Sequence, residues 1–417
     1  MRLEEILKDL GEEGAAEALR PGWEESQACF PAETPAFLDK GQVAERCAYG
    51  GFDEAGAAAA QAAAEAARGD ERLRRLAWHC MRLLFDSADY PSASMAAWPS
   101  LSGRLGDLGG AFYMPVALEA IPRARAFHAG RGVPEDVTRH TCSDVRILAE
   151  RYLGLHGRWG MPVDVLGWLR NHASGAIYRL GRHQYVQGAF RHPMFVFRRK
   201  GGEETLALAD AGVRFTDEGF LPWMGETLEP AQGWTSEFRM DATEARGTIL
   251  SPLGMALRRQ ATVRLSEWDL VLQKGTPVLQ MHIPRGDSIS VEATAASLAQ
   301  AEAFFPRYFP DRPFRAFACA SWMFNTQLVE MLGPEANMPR WQREVYLFPT
   351  ESDGTAGVYF VFGVRKLDVS TAPRDTRLRR AMVDKLASGG KLRSGGMFLL
   401  REDLGRFGGQ VYRRGWE

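Results

Sequence analysis

The chain has 417 residues, is 45% apolar and 25% charged, and carries a formal net charge of −1, which fits an ordinary soluble globular protein long enough for two cores. So balanced a charge offers no field for nucleic acid or an anionic membrane, and neither is expected as a partner. No run reaches the ~18 apolar residues of a spanning helix, and the amphipathic start lacks a signal-like apolar stretch. Five cysteines at irregular spacings, with no C-x-x-C, read as reduced thiols in a cytoplasmic protein.

Residues 1–175 read as a helical domain. An alanine-rich helix over 55–68 is followed, after a break at Gly69 and Asp70, by a second over 71–85 with Leu73, Leu76, Cys80, Leu83 and Leu84 at helical spacing. A third is expected over 111–128, interrupted near Pro115 and Pro122; a fourth begins near Pro134, and a short one covers 164–172. From Ala176 to the end the pattern is mixed, so the second domain is taken as 176–417. Strands are expected over 177–186, 194–199 and 205–209, with Gly201 and Gly202 as a hairpin turn. Residues 210–250, rich in Gly, Pro and Asp, read as an irregular connection. Strands at 268–273 and 278–283 lead into a helix over 291–305 with Ser288 or Ser290 as its cap. After these come a strand at 314–324, a short helix at 326–332, and a hairpin of 344–348 with 358–363. A helix over 376–387, read as solvated, then precedes a flexible tail, with basic residues in excess from Arg374 on.

The passage from strand to helix at 278–290 carries the clearest chemical signal. A strand feeding a helix through a short polar turn presents free backbone N–H groups and the positive end of the helix dipole, which suit a pyrophosphate. His282 lies opposite Leu279, Met281 and Ile283 by strand alternation and shares its face with Gln280. It is either a proton acceptor or a hydrogen-bonded structural histidine. Cys319 reads as a small core residue and, less simply, as a nucleophile lacking a paired base. No zinc spacing, Walker loop, G-x-G-x-x-G or G-x-S-x-G occurs, so no metal is expected.

The order of elements resembles the GNAT acyltransferase fold. More closely, the chain resembles the bacterial acyltransferase domain-containing family, which joins a helical N-acyltransferase N-terminal domain to a GNAT-like C-terminal domain. The residues that carry this are Trp168-Leu-Arg-Asn-His172, Ile177-Tyr-Arg-Leu-Gly-Arg182 with Gln184, Val278-Leu-Gln-Met-His-Ile-Pro284, residues 297–309, Cys319-Ala-Ser-Trp322, and Asn337 with Trp341. The resemblance implies an α+β fold, a helical N-terminal domain followed by a GNAT-like mixed β-sheet domain flanked by helices. It also implies transfer of an acyl group from acyl-coenzyme A to an amine or hydroxyl of a small-molecule acceptor. On that reading Arg285, Gly286, Ser288 and Ser290 meet the pyrophosphate, with Asp287 an unfavourable neighbour. His282 acts as base and Tyr346 as acid, and Arg179, Arg182, Gln184, Ser321 and Asn337 meet the acceptor. The alternative is a ligand-binding or scaffold protein that keeps the fold without the chemistry, because serines replace the small residues of the family's pyrophosphate loop.

Overall fold

The computed structural model describes residues 1–229, 232–286 and 288–416, and the chain divides into two compact units, Met1–Arg179 and Leu180–Glu417. Helices build nearly all of the first unit. The helix Glu54–Gly69 ends where the sequence breaks, and the Asp70 carboxylate accepts from the Arg72 N–H to cap the next helix, Glu71–Phe85. The expected helix over 111–128 parts at Glu119 into Tyr113–Leu118 and Ala120–Gly130. Pro122 falls in the first turn of the latter, where its missing N–H breaks no helical bond.

Several buried polar groups in this unit are paired inside it. His79 contacts Ser26 Oγ at 2.8 Å and the Leu19 carbonyl at 2.7 Å. The Arg170 guanidinium donates to the carbonyls of Leu83, Leu84 and Tyr90, each at 2.7 Å, and so closes the C-terminal end of the helix Glu71–Phe85. The Trp168 indole donates to Asp144 at 3.1 Å, and His172 Nε2 lies 3.1 Å from the same carboxylate. Three residues of the motif at 168–172 are thus occupied in closing the helical core.

The strand β1 (Ile177–Leu180) straddles the division between the units. The second unit continues with β2 (His183–Ala189), β3 (Met194–Arg199), β4 (Thr205–Ala209), β5 (Phe238–Met240), β6 (Glu244–Ser251), β7 (Met255–Arg264), β8 (Trp268–Gln273), β9 (Pro277–His282), β10 (Ala316–Ser321), β11 (Tyr346–Pro349) and β12 (Gly395–Leu400). One sheet runs β2-β9-β10-β12-β11 and the other β8-β3-β4-β6-β5, with β7 beside β6. Pairing is antiparallel except between β9 and β10, which are parallel and connected through the long helix Val291–Tyr308. That helix seals one face of the first sheet. Tyr185 makes edge contacts with Phe305 and Phe317 at centroid distances of 6.4 and 5.9 Å, and its hydroxyl meets Ser297 Oγ at 2.8 Å.

Several sequence expectations are corrected. The strand expected over 177–186 is two strands, because Gly181 takes φ +61° and turns the chain. Residues 210–250 contain β5 and β6, and β7 follows; their alternation is obscured by the Arg, Thr and Gln of an exposed face. Val358–Phe362 is a helix, and β11 pairs with β12 instead. The tail is not a flexible one throughout: every residue of β12 is buried, and the strand is paired on both sides in the first sheet.

Candidate functional site

The parallel pair at the centre of the first sheet comes apart. β9 and β10 are paired at Val278 with Ala316, Leu279 with Phe317 and Gln280 with Ala318, and there the ladder stops. Both strands continue. Met281 and His282 stay bonded to β2, and Cys319, Ala320 and Ser321 stay bonded to β12. Each strand holds its outer neighbour while the inner edges diverge, leaving a wedge at their C-terminal ends. The loop from β9 to the helix Val291–Tyr308 starts at that same end.

Alternation fixes what faces which side. Tyr185, Met281 and Phe317 face the long helix. Gln184, Gln280, His282, Ala318 and Ala320 face away from it, with His282 directly across from Gln184. Had the ladder run one step further on this face, His282 would oppose Ala320, so the wedge opens between those two. Gln184 is 2% exposed, yet its amide Nε2 has no hydrogen-bond partner among the described residues. An orphaned buried donor beside His282 is a group that a ligand carbonyl satisfies.

After four buried residues Ala320 is solvent-exposed near the C-terminal end of β10, where it lines a cavity of about 440 Å³ between the two sheets. Met194, Ala209, Phe215, Leu221, Leu250 and Phe348 supply apolar wall, with His192, Ser321, Thr350 and Glu351 among the polar lining. Gly396, opposite Ala320, has to be glycine: a Cβ there would lie 2.1 Å from the Phe348 ring. The His192 ring makes edge contacts with Phe348 at 4.5 Å and Phe190 at 5.3 Å, and burial pushes its pKa down to about 4, so the imidazole is neutral at pH 7. Sequence reasoning passed over both His192 and Ala320. His192 sits in a short Arg-His-Pro connection with no pattern of its own, and Ala320 becomes conspicuous only through the register of β9 against β10.

The loop residues divide by what they already hold. Arg285 is exposed and makes no hydrogen bond or ion pair among the described residues, and Gly286 takes φ +149°, a conformation open to glycine. Ser288 Oγ accepts from Asn337 Nδ2 at 2.7 Å, and Ser290 caps the helix by accepting from the Ala293 N–H at 3.1 Å. Asp287 lies outside the described residues. The Glu292 carboxyl is held below its ordinary range by its own backbone N–H and the Ser290 hydroxyl, so a carboxylate already sits at this helix start.

Other expected site residues are engaged in the framework. Arg182 stands in the turn after Gly181 and donates to the Pro284 carbonyl at 2.8 Å, bracing the loop from below. Arg179 belongs to the first unit, where its guanidinium donates to Ser143 Oγ at 3.3 Å. Asn337 braces Ser288 as above, and Trp341, near it in the same helix, stacks on His183 at 5.6 Å. Ser321 accepts from the Met323 N–H at 3.2 Å while lining the cavity. Tyr346 is fully buried; its hydroxyl donates to the Leu250 carbonyl and accepts from the Ala207 N–H, and burial drives its pKa far up. A phenol tied between two sheets does not reach an acceptor, so its expected role as acid is withdrawn. Cys319 is buried, which pushes its thiol up to about 12 and leaves no thiolate for a nucleophilic role.

Residues 177–399 match the family model of the GNAT-like C-terminal domain, and residues 41–175 match that of the N-acyltransferase N-terminal domain. Among solved structures, an acyltransferase in complex with decanoyl-CoA and teicoplanin superposes with a TM-score of 0.65 at 22% identity, covering 96% of this chain and 99% of that one. An acyltransferase in complex with CoA and 10C-Teicoplanin gives 0.65 at 21% identity, and an acyltransferase mutant in complex with octanoyl-CoA gives 0.64 at 21%, each over 96% of this chain and 99% of the other. At these identities the likeness is one of fold. No curated protein matches the sequence.

Proposed function

The chain belongs to the family that joins an N-acyltransferase N-terminal domain to a GNAT-like C-terminal domain, and from that premise we propose that it transfers an acyl group from acyl-coenzyme A to an amine or hydroxyl of a small-molecule acceptor. The wedge between β9 and β10 is the observation that carries this reading. The pantetheine arm of coenzyme A is an extended chain with two amides, and strand edges facing a gap can bind such a chain much as they bind another strand. Arg285, with the backbone of Gly286 and Ser288, meets the diphosphate at the loop end. The thioester then falls between His282 and Ala320, and the Gln184 amide donates to a carbonyl there. His282 takes the proton that the attacking amine or hydroxyl must lose, and the coenzyme A thiolate leaves. That solved relatives in this fold hold acyl-CoA and a glycopeptide supports the donor class and admits an acceptor as large as a glycopeptide.

Isothermal titration with coenzyme A and acetyl-coenzyme A tests the donor, with binding expected; absence of heat and of any thermal shift at millimolar ligand overturns the enzyme reading. His282→Ala is expected to keep donor affinity and lower turnover by roughly 10²–10⁴. Donor binding with no turnover on any amine or hydroxyl acceptor would favour the ligand-binding alternative.

A further inference from the structure

We propose that a small basic lobe of the second unit docks the protein on an anionic lipid surface, with the ring of Phe360 entering the headgroup layer. The inference is independent of the acyl-transfer reading. The helices Leu328–Leu332, Val358–Phe362 and Arg377–Ala387 gather around a core of their own, built from Val358, Phe362, Met382, Val383 and Leu392. As a strand, residues 358–362 would put Val358, Phe360 and Phe362 on one face. As a helix they put Val358 and Phe362, four apart, on the core face and Phe360 on the opposite one. Val358 is 1% exposed and Phe362 8%, whereas Phe360 is 66% exposed. The helix is pinned in this setting. Gly357 and Gly363 bound it at φ +86° and +79°, and a Cβ on Gly357 would lie 2.9 Å from the Trp322 ring.

Among the described residues seven large apolar side chains are exposed, and Val329, Phe360 and Val364, in or next to the helices of this lobe, are three of them. Apolar side chains scattered singly over a surface call for no partner, but a group of them does. The charge around them is one-sided. Near-zero net charge argues against an anionic surface for the chain as a whole, yet residues 356–390 hold seven arginines and lysines against three aspartates, so the rest of the chain carries −5. Asp375 is matched by Arg379 at 2.9 Å and Asp384 by Arg374 at 2.5 Å, while Asp368 accepts from the Ser370 N–H and hydroxyl. Basic groups reach the apolar tip itself. Arg365 stacks on Tyr359 at 4.8 Å, the Arg379 guanidinium donates to the Val361 carbonyl at 3.0 Å, and Lys366 is exposed beside them. A ring protruding from a cationic surface matches a layer with anionic headgroups above acyl chains: the charges draw the lobe in, and the ring is buried beneath them. A protein partner would need a socket shaped for so prominent a side chain, whereas a lipid interface closes around it. The negative remainder of the chain is repelled from the same surface, which makes the lobe the side that faces it.

The test is co-sedimentation of the full chain with vesicles of phosphatidylcholine alone and of phosphatidylcholine with ~30 mol% phosphatidylserine. Binding is expected to the anionic vesicles only, and to weaken at least tenfold between about 0.1 and about 0.5 M salt. Phe360→Ser is expected to weaken it about tenfold with no change in melting temperature, because the ring lies outside the lobe's core. Lys366→Glu combined with Arg377→Glu is expected to weaken it by more than about tenfold. In the native chain, hydrogen exchange over residues 358–366 is expected to slow on the anionic vesicles, a readout that stands should a variant not fold. Absence of binding to the anionic vesicles overturns the proposal and leaves the lobe to an acidic protein surface. Equal binding to both compositions overturns it as well, and so does anionic binding with unchanged exchange over 358–366, which would put the contact elsewhere on the chain.

Discussion

Residues 283–286 with 288–290, and residues 401–416, each follow an interior strand of one sheet, yet they use their side chains in opposite ways. In the second stretch nearly everything is engaged. Asp403, fully buried, accepts from the Tyr412 hydroxyl at 2.6 Å and lies 2.9 Å from Arg198 of the other sheet, with Arg406 against it as well. Buried Glu344 accepts from the backbone N–H groups of Gly408 and Gln410, both at 2.9 Å. Among the described residues, Arg285 in the first stretch has no partner, and near the strand end the Gln184 amide donor has none either. Polar groups matched inside the chain hold the fold, and the proposed function gives those left unmatched beside an opening to the ligand.

That contrast can be broken most forcefully at Asp403. Asp403→Ala leaves Arg198 buried without its main carboxylate and is expected to cost about 3–5 kcal/mol in urea unfolding, while donor affinity in the surviving folded protein is unchanged. A loss under 1 kcal/mol would make the tail a passive cover.

Acid acts on several buried groups together. Burial holds His79, His128 and His192 at pKa values of about 4, against about 6.5 in an unfolded chain. Between those values the unfolded chain binds the extra protons, so stability is full above pH 6.5, falls as pH drops toward 4, and falls no further on their account below that. Each ring contributes at most about 3 kcal/mol over that range. Unfolding curves at pH 7, 5.5 and 4 that superimpose would contradict it.

At the loop, Arg285→Ala is expected to weaken coenzyme A binding about tenfold or more with no change in melting temperature, as for one charge-assisted bond worth ~1.5–3 kcal/mol. Unchanged affinity would clear it of that contact. Gln184→Met should give the smallest change. It removes a donor that the fold does not use, so stability should hold within about 0.5 kcal/mol while turnover drops several-fold. Destabilisation without a change in turnover would show the amide to be structural.

Much of this was legible from the residues. The helix starting at Val291 follows from its stripe of Val291, Ala295, Leu298, Ala301 and Phe305 and from the Ser290 cap, and β3 and β4 follow from their alternation about Gly201 and Gly202. The turn chemistry of Gly181 was visible only as an irregularity, since one glycine inside an apolar run marks a bulge or a reversal alike. β12 went unseen because Gly395 and Gly396 depress strand propensity; they are there for the close approach of Phe348 and Phe324, a tertiary demand. For the site, alternation placed His282 on its face correctly relative to Leu279 and Met281. It could not place Ala320, since nothing in a sequence reports where a parallel ladder ends. Tyr346 was chosen as the nearest tyrosine along the chain, and distance along the chain says nothing of burial.

Ser297, on the long helix, has a hydroxyl that meets three partners of the second unit at once: the Leu180 carbonyl, the His183 N–H at 3.1 Å and the Tyr185 hydroxyl at 2.8 Å. The reversal at Gly181 and Arg182 is therefore gauged against a fixed peg, and Arg182 passes that measurement on to Pro284. Insertions of one or two residues should be harmless at the exposed bend of Gly201 and ruinous at Gly181, although both are two-strand connections with a left-handed glycine. Length, more than composition, is what the short connection preserves.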